Sequence, residues 1–460
     1  MGNLKNYVDS LKDRKITVIG AGVSNSPLIK LLLDAGVCVS VRDKRTYNEL
    51  GESAGKFEKS GAILILGDGY LDNIQEEIIF RTPGLMPSDP ALNEALLQGK
   101  KLTSEMEVFF DLCPCKIIGI TGSDGKTTTS SIIAELLRNQ GKTVHLGGNI
   151  GTPLLSETDN IKPDDIVVVE LSSFQLITMK TSPNIAVVTN LSPNHLDIHS
   201  DMDEYIEAKR NIFKYQKASD RAVFNYDNDI TKDYAAAAAA GEVLFFSNTK
   251  SVENGTYLES GVIYSAKKGK VSKVIKADEI LLPGAHNIEN YLAAFSAVRD
   301  IVDVDIMQKT AREFKGVAHR IELVREHRDI KYYNDSIASS PSRTIAGLRA
   351  FNQKVILIAG GKDKGVAFDE LGFEINDKVK SLVLTGMSAK MIESAVKNAT
   401  NYKSGLEIII CDDFTEAVCL ASKATSPGDV VLLSPACTSF DKFKNFEERG
   451  NLFKEIVNGF

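Results

Sequence analysis

The chain has 460 residues, which is too long for a single ordinary core, so two or three domains are expected. Its formal net charge of -7 argues against a nucleic-acid partner. The first residues are polar, and no apolar run approaches the roughly 20 residues that cross a bilayer. We therefore expect a cytoplasmic protein without membrane association. The scattered cysteines predict free thiols, and this includes the pair Cys113 and Cys115.

Strand-like apolar runs alternate with helical stretches along the whole chain, which predicts an α/β fold with parallel sheets between helices. Three such strands each lead into a glycine loop and then a helix. They are residues 15–19, 116–120 and 354–359. We therefore predict three domains. They are a Rossmann-like domain over 1–104, a central P-loop domain with a parallel sheet over 105–316, and a second Rossmann-like α/β domain over 317–460.

The loop after the second of these strands carries the strongest local signal. Glycines let successive backbone N–H groups point at phosphate oxygens, and the following helix adds the partial positive charge of its N-terminus. Lys126 is predicted to reach the β- and γ-phosphates of a nucleotide, and Thr127 to offer its hydroxyl to Mg²⁺. The strict pattern would have glycine at Ile120. The predicted phosphate-binding residues are Gly122, Ser123, Asp124, Gly125, Lys126, Thr127 and Thr128.

Three further polar residues follow in the same predicted domain. Glu170 ends a buried strand, where an acid can either bind Mg²⁺ or begin a helix. His195 lies just beyond the next strand, although a single histidine is more often an ordinary polar residue. Lys209 lies in an amphipathic helical stretch, and spacing alone predicts that it is solvated.

The N-terminal glycine loop resembles a dinucleotide-binding fingerprint. Gly20 and Gly22 follow the first strand, but Asn25 replaces the third glycine. Asp43 ends the second strand about 20 residues later, as that fingerprint requires. Taken alone, this pattern predicts an NAD site and leaves an NAD-linked dehydrogenase as one alternative.

Taken together in their order, the motifs resemble those of the Mur ligase family over essentially the whole chain. The phosphate loop has the form Thr-Gly-x-x-Gly-Lys-Thr-Thr, which occurs in this family and in folylpolyglutamate synthetases. The latter begin at that loop and lack the preceding domain. The other matching segments are Gly-Gly-Asn-Ile-Gly from Gly147, Glu-Leu-Ser-Ser-Phe-Gln-Leu from Glu170, Asn-His-Leu-Asp from Asn194, His-Asn-Ile-Glu-Asn from His286, His319-Arg320, Asn334-Asp335-Ser336, Gly-Gly-Lys-Asp-Lys-Gly from Gly360, and the long run from Ser434 to Gly450.

The resemblance implies an ATP-dependent ligase that joins a carboxylate to an amine through an acyl-phosphate in peptidoglycan precursor synthesis. It implies two Mg²⁺ sites, the first at Thr127 and Glu170 and the second at His195 and a carbamate on Lys209. Lys126, His195 and Lys209 are the implied catalytic residues. The implied contacts of ATP outside the phosphate loop are Asn290 to adenine, Asp335 to ribose and Arg320 to a phosphate.

The same resemblance implies where the two other substrates bind. The last motif is similar to that of the branch that adds D-glutamate to UDP-N-acetylmuramoyl-L-alanine, and it implies D-glutamate contacts at Ser339, Lys364, Ser439 and Phe446. Ser339 replaces a threonine of that branch, and Ile337 a lysine found in many relatives. The implied contacts of the UDP substrate are Gly22, Val23, Ser24, Asp43, Lys44, Arg45, Thr82, Gly84, Asn149, Ser173 and His195.

Several alternatives remain open at this point. The nearest is the ligase that adds L-alanine to UDP-N-acetylmuramate, which shares the Rossmann-like N-terminal domain. A non-catalytic nucleotide-binding regulator and the NAD-linked dehydrogenase are the alternatives from other classes. We expect small-molecule partners only, no nucleic acid and a monomer.

Overall fold

The structure is a computed structural model, and it divides into two compact units. One consists of Met1–Ala277 with Glu289–Thr310, and the other of Asp278–Ile288 with Ala311–Phe460. None of the helices in the described part of the chain is long and apolar enough to cross a membrane. The described residues are 3–151, 153–194, 198–237, 240–402 and 404–460.

The first sheet has five parallel strands in the order β3-β2-β1-β4-β5, which is the doubly wound arrangement predicted from the sequence. All four residues of β1 are buried, as expected for a central parallel strand. The strands are β1 (Ile16–Ile19), β2 (Val39–Asp43), β3 (Ile63–Leu66), β4 (Ile78–Phe80) and β5 (Lys101–Thr103); the helices are α1 (Asn3–Asp9), α2 (Ser26–Asp34), α3 (Tyr47–Leu50), α4 (Glu52–Lys59), α5 (Pro90–Leu97) and α6 (Glu105–Leu112).

The second sheet has nine strands in the order β14-β13-β12-β11-β10-β9-β6-β8-β7, parallel from β7 to β12 and antiparallel beyond. The strand before the phosphate loop, β6, therefore lies between β8 and β9. The strands are β6 (Lys116–Thr121), β7 (Val144–Gly148), β8 (Ile166–Glu170), β9 (Ile185–Val188), β10 (Arg221–Asn225), β11 (Glu242–Ser247), β12 (Gly255–Glu259), β13 (Val262–Lys267) and β14 (Lys270–Lys276).

The helices that follow β6 in the chain begin with α7, which starts directly at Lys126. They are α7 (Lys126–Asn139), α8 (Ser173–Leu176), α9 (Met202–Lys214), α10 (Asp229–Ala237), α11 (Ala285–Val298) and α12 (Val304–Glu313), with 3-10 helices at Leu155–Asn160 and Ala277–Glu279.

The third sheet has six strands in the order β15-β16-β20-β17-β18-β19, and only β15 is antiparallel to its neighbour. The part of the chain that the structure describes thus contains three α/β sheets, and the predicted fold class is confirmed. The strands are β15 (Glu322–His327), β16 (Ile330–Asn334), β17 (Val355–Gly360), β18 (Val379–Thr385), β19 (Glu407–Ile410) and β20 (Val430–Leu433); the helices are α13 (Pro341–Arg349), α14 (Asp369–Lys378), α15 (Ala389–Asn398), α16 (Phe414–Lys423) and α17 (Phe446–Asn458).

The first two sheets share one continuous apolar core. It runs from Val18 and Phe80 of the first sheet through Phe109 of α6 to Val169 and Val188 of the second. Both sheets belong to one compact unit, so the boundary near residue 104 stays a prediction, as does the one near 316. All six cysteines are free thiols, as predicted.

Candidate active site

Two glycines shape the loop between β6 and α7. Gly122 has φ +146° and Gly125 has φ +80°, values that residues with a side chain rarely adopt. A Cβ at Gly122 would collide with the hydroxyl of Thr189, and one at Gly125 would lie 2.5 Å from Asn290 Oδ1. The loop therefore has the backbone form that the phosphate-loop prediction requires, and Asn290 lies against it.

Lys126 is the first residue of α7, and its side chain turns back over the loop. Its Nζ donates to the carbonyl oxygens of Gly122 at 3.0 Å and Ser123 at 2.9 Å. The positive charge therefore lies at the carboxyl end of β6, next to the N-terminus of a helix. This combination attracts a phosphate group.

The next residue of α7 faces the acid that ends β8. Thr127 Oγ1 donates to Glu170 Oε2 at 2.7 Å, and Asn149 Nδ2 donates to Glu170 Oε1 at 2.9 Å. Glu170 is buried and completes its strand, so it does not begin a helix. A hydroxyl and a carboxylate at this distance suit a Mg²⁺ ion, which prefers oxygen ligands.

Lys209 lies inside the protein, and the solvated position predicted from its spacing is wrong. Only 2% of the residue is exposed, and its Nζ donates to Thr121 Oγ1 at 3.1 Å and to the Gly122 carbonyl at 3.0 Å. Its Nζ is also 4.8 Å from the centre of the Tyr205 ring. Burial, assisted by the charge of Lys126, holds the pKa of Lys209 well below its ordinary value. The buried face of α9 thus places an amine beside the phosphate loop.

Polar side chains fix the rest of the loop. Ser123 Oγ is 2.9 Å from the Tyr205 hydroxyl and donates to the Ser192 carbonyl at 3.0 Å. The Asp124 N–H donates to Asn190 Oδ1 at 2.9 Å. Thr128 is buried in the first turn of α7. The residues after β9 therefore form the second wall of the loop.

The predicted histidine, His195, lies outside the described residues. A nearby histidine that the sequence analysis did not single out, His199, is buried and lies 2.9 Å from Ser173 Oγ through its Nε2. Its ring stacks on Phe174, with centroids 5.0 Å apart. His199 therefore fixes Ser173 in the segment that follows Glu170. Its position four residues beyond His195 was the one available signal.

Residues predicted to bind the UDP substrate line one cavity of about 320 Å³. Val23, Ser24, Thr82 and Gly84 come from loops at the carboxyl ends of β1 and β4, and Asn149 comes from the end of β7. The structure thus brings these five residues together, although they are up to 126 positions apart in the chain.

Asp43 is near the same loops but is already engaged by its neighbours. Its carboxylate accepts from the Ala21 N–H at 2.8 Å and from Arg45 Nε and Nη2 at 2.9 and 2.7 Å. Burial alone raises the pKa of Asp43, but these hydrogen bonds outweigh burial and lower it to about 2. Gly22 and Lys44 are exposed on the neighbouring loop segments.

Arg81 is a residue of this region that no sequence motif predicted. It is 1% exposed, and its Nη1 donates to the Leu85 carbonyl at 2.7 Å while its Nη2 donates to the Phe174 carbonyl at 2.7 Å. Burial lowers its pKa to about 10, and the charge of Glu107 acts in the opposite direction. Arg81 therefore ties the loop of Thr82 to the segment of Ser173. An arginine directly after the apolar run of β4 was the signal.

Two predicted ATP contacts lie in the second unit. Asp335 is buried at the end of β16, where it accepts from Ser434 Oγ at 2.7 Å, and burial raises its pKa to about 7. Arg320 is half-buried and lies between His319 and Ile321, which have φ +63° and +45°. Such backbone conformations in non-glycine residues are concentrated at functional sites.

The predicted D-glutamate contacts also lie in the second unit, and the structure brings two of them into contact. Lys364 Nζ donates to Ser339 Oγ at 3.3 Å. Ser439 is buried and follows Thr438, whose backbone pairs with that of Lys362. Phe446 is the first residue of α17, and its carbonyl accepts from Ser336 Oγ at 2.8 Å.

Comparisons with known proteins agree with these features. Residues 120–298 match the pattern of the Mur ligase middle domain, and residues 319–437 that of the Mur ligase, glutamate ligase domain. The UDP-N-acetylmuramoylalanine--D-glutamate ligase of Acetivibrio thermocellus is 50% identical over 459 residues, covering 99% of this chain and 98% of that one. The ligase of the same name from Clostridium kluyveri is 50% identical over 458 residues, covering 99% of each.

Solved structures show the same fold. The UDP-N-acetylmuramate-alanine ligase MurC from Thermotoga maritima matches with a TM-score of 0.57 at 20% identity, covering 97% of this chain and 99% of that one. At that identity the match concerns the fold alone. The full-length relatives at 50% identity decide the family, and the chain belongs to the Mur ligases.

Proposed function

We propose that this chain is an ATP-dependent ligase that adds D-glutamate to UDP-N-acetylmuramoyl-L-alanine. The observation that carries the proposal is the convergence of Lys126, Thr127 and Glu170 at the carboxyl edge of the second sheet, in a chain half identical to ligases of that name. Family membership favours this function over the NAD-linked dehydrogenase.

The arrangement supports activation of a carboxylate by phosphoryl transfer. A carboxylate and an amine exchange a proton and become unreactive, so the carboxylate must first acquire a leaving group. Its oxygen attacks the γ-phosphorus of ATP, the bond to ADP breaks, and an acyl-phosphate forms. The D-glutamate amine then attacks the acyl carbon, loses a proton and releases inorganic phosphate. Lys126 and the loop N–H groups stabilise the charge on the transferred group.

Thr127 and Glu170 are the residues that would hold a Mg²⁺ ion, and their oxygens fit that role. A bound Mg²⁺ would neutralise part of the negative charge of the phosphate groups. Lys209 and His195 would hold a second ion if Lys209 carried a carbamate. That group forms when a neutral amine adds carbon dioxide and loses one proton, and the burial of Lys209 beside the loop supports a neutral amine.

The other predicted residues are proposed to bind the two remaining substrates. The cavity lined by Thr82 and Asn149 would take the UDP-N-acetylmuramoyl-L-alanine, and Ser173 and Asp43 would also contact this substrate. Lys364 and Ser439 would take the carboxylates of D-glutamate. Asn290, Asp335 and Arg320 would contact the nucleoside and a phosphate of ATP. We further propose a cytoplasmic monomer that serves peptidoglycan synthesis, and through it cell shape and division.

Phosphate release from ATP tests this function. The purified chain is incubated with ATP, Mg²⁺ and UDP-N-acetylmuramoyl-L-alanine, with D-glutamate, L-alanine or no amino acid. We expect continuous phosphate release with D-glutamate only. We also expect a product that is heavier than the substrate by one glutamyl residue. A parallel incubation contains UDP-N-acetylmuramate and L-alanine instead, and phosphate release in that incubation alone would assign the chain to the other branch. No release with either pair would refute a ligase function.

A further inference from the structure

Arg449 is a buried cation to which neither the motifs nor the proposed mechanism gives a role. It lies in the first turn of α17, three residues after Phe446, and only 2% of it is exposed. Its Nε donates to Ser336 Oγ at 3.0 Å, and its Nη2 donates to the carbonyls of Ser336 at 2.9 Å and Cys437 at 3.2 Å. Every one of these acceptors is a neutral oxygen.

The contacts of Arg449 join the segments that carry the proposed D-glutamate residues. Ser336 lies in the loop that carries Ser339, and Cys437 lies two residues before Ser439. A third segment is that of Lys364, which begins at Gly361. Arg449 Nη1 lies close to this glycine, since a Cβ added there would be 3.2 Å from it. The fourth is α17 itself, which begins at Phe446. One guanidinium thus bonds two parts of the proposed site, lies beside the third and is carried by the fourth.

The charge of Arg449 has no ion-pair partner among the residues that the structure describes. Its nearby ionisable groups are the thiol of Cys437 and the carboxylate of Asp441, which does not form an ion pair with it. Burial lowers the pKa of Arg449 to about 10, so it remains a cation at neutral pH. A buried cation without a carboxylate partner is costly unless an anion offsets it.

We propose that Arg449 is a positioning residue for the incoming amino acid. It fixes the four segments relative to one another, and its charge favours an amino acid with two carboxylates over one with a single carboxylate. This inference rests on the proposed function, because D-glutamate supplies the anion. An arginine suits this role because its planar fork can bond two loops at once, whereas a lysine ammonium bonds as a single point.

The test is steady-state kinetics of phosphate release with Arg449→Lys, which keeps the charge and removes the fork. Loss of charge-assisted hydrogen bonds to two loops is expected to raise the KM for D-glutamate about tenfold or more. The KM for UDP-N-acetylmuramoyl-L-alanine, which binds to another part of the chain in the proposal, should stay within about twofold of wild type. Ser336→Ala removes one acceptor of the same guanidinium and should raise the KM for D-glutamate in the same direction.

Arg325→Lys is the matched control. Arg325 is likewise an arginine that donates to backbone carbonyls. Its Nη1 bonds Val457 at 3.0 Å and Asn458 at 2.7 Å, at the end of α17 opposite to Arg449. Its KM for D-glutamate should equal that of wild type. If Arg449→Lys does not fold, Ser336→Ala decides the question alone.

Two results would overturn the proposal. One is an unchanged KM for D-glutamate in both variants, and the other is an equal rise in the KM of all three substrates, which indicates a structural role only. A wild-type chain that releases no phosphate with D-glutamate would instead refute the proposed function.

Discussion

Replacing Asp43 by asparagine should measurably weaken the first unit. The carboxylate accepts four hydrogen bonds: one from the backbone N–H of Ala21 and three from Arg45, through its backbone N–H, Nε and Nη2. An asparagine side chain at this position would keep the shape but lose the charge and one acceptor oxygen. The variant Asp43→Asn therefore tests how strongly these donors stabilise the ionised form.

The magnitude follows from the pKa of Asp43. Its pKa falls from 3.8 to about 2, and each unit corresponds to about 1.4 kcal/mol, so the folded state favours the carboxylate by roughly 2 to 3 kcal/mol. Because the folded pKa is lowered, this stabilisation is complete above the unfolded value near pH 4. It is lost as the pH falls toward 2. At pH 7 the full loss is expected in the variant.

Urea unfolding at pH 7 is the assay. The free energy of unfolding of Asp43→Asn should be roughly 2 to 3 kcal/mol below wild type, and the effect should shrink in an Arg45→Met background, where the main donor is absent. Asp68→Asn, a change at an exposed aspartate of the same unit, is the control and should stay within about 0.5 kcal/mol. A stable Asp43→Asn variant, or an undiminished effect without Arg45, would refute the reasoning.

Three further predictions concern the steady-state kinetics. Lys126→Ala should lower kcat by at least about 10²–10³, measured by phosphate release, because one donor to the transferred group is lost. Lys209→Ala should be inactive and partly regain activity with a small carboxylic acid that replaces the carbamate, measured in the same assay with and without the acid. Arg81→Lys should raise the KM for UDP-N-acetylmuramoyl-L-alanine about tenfold and leave that for ATP unchanged, since a lysine has a single nitrogen where Arg81 uses two separate ones to bond the Leu85 and Phe174 carbonyls.

Each of these has a result that contradicts it. Near-normal turnover of Lys126→Ala would remove the loop from the mechanism. Full activity of Lys209→Ala without added acid would remove the carbamate. An unchanged KM in Arg81→Lys would leave that residue with a structural role only.

The local parts of the site were predictable because their chemistry is contiguous in the chain. A buried strand, a glycine loop and a helix place Lys126 and Thr127 without reference to any distant residue. Glu170 could also be placed, because the carboxyl ends of neighbouring parallel strands meet at one edge of a sheet.

Lys209 shows why the remaining parts were not predictable. In an amphipathic helical stretch a lysine is expected on the exposed polar face. Lys209 is buried instead, because it packs against Thr121, which is 88 residues away in sequence. Arg81 was not predicted to matter, and Arg449 was part of a motif but received no role, for the same reason. Their partners include backbone carbonyls far away in sequence, those of Phe174 and Ser336, and carbonyls leave no mark in a sequence.

The central claim is that a substrate carboxylate passes through an acyl-phosphate at the Lys126 loop. Its most direct test is UDP-N-acetylmuramoyl-L-alanine labelled with ¹⁸O in both carboxylate oxygens, with ATP, Mg²⁺ and D-glutamate. Mass spectrometry of the released phosphate should find one ¹⁸O atom per molecule, because the attacking oxygen leaves with the phosphoryl group. Phosphate without ¹⁸O, formed together with the amide product, would contradict the account.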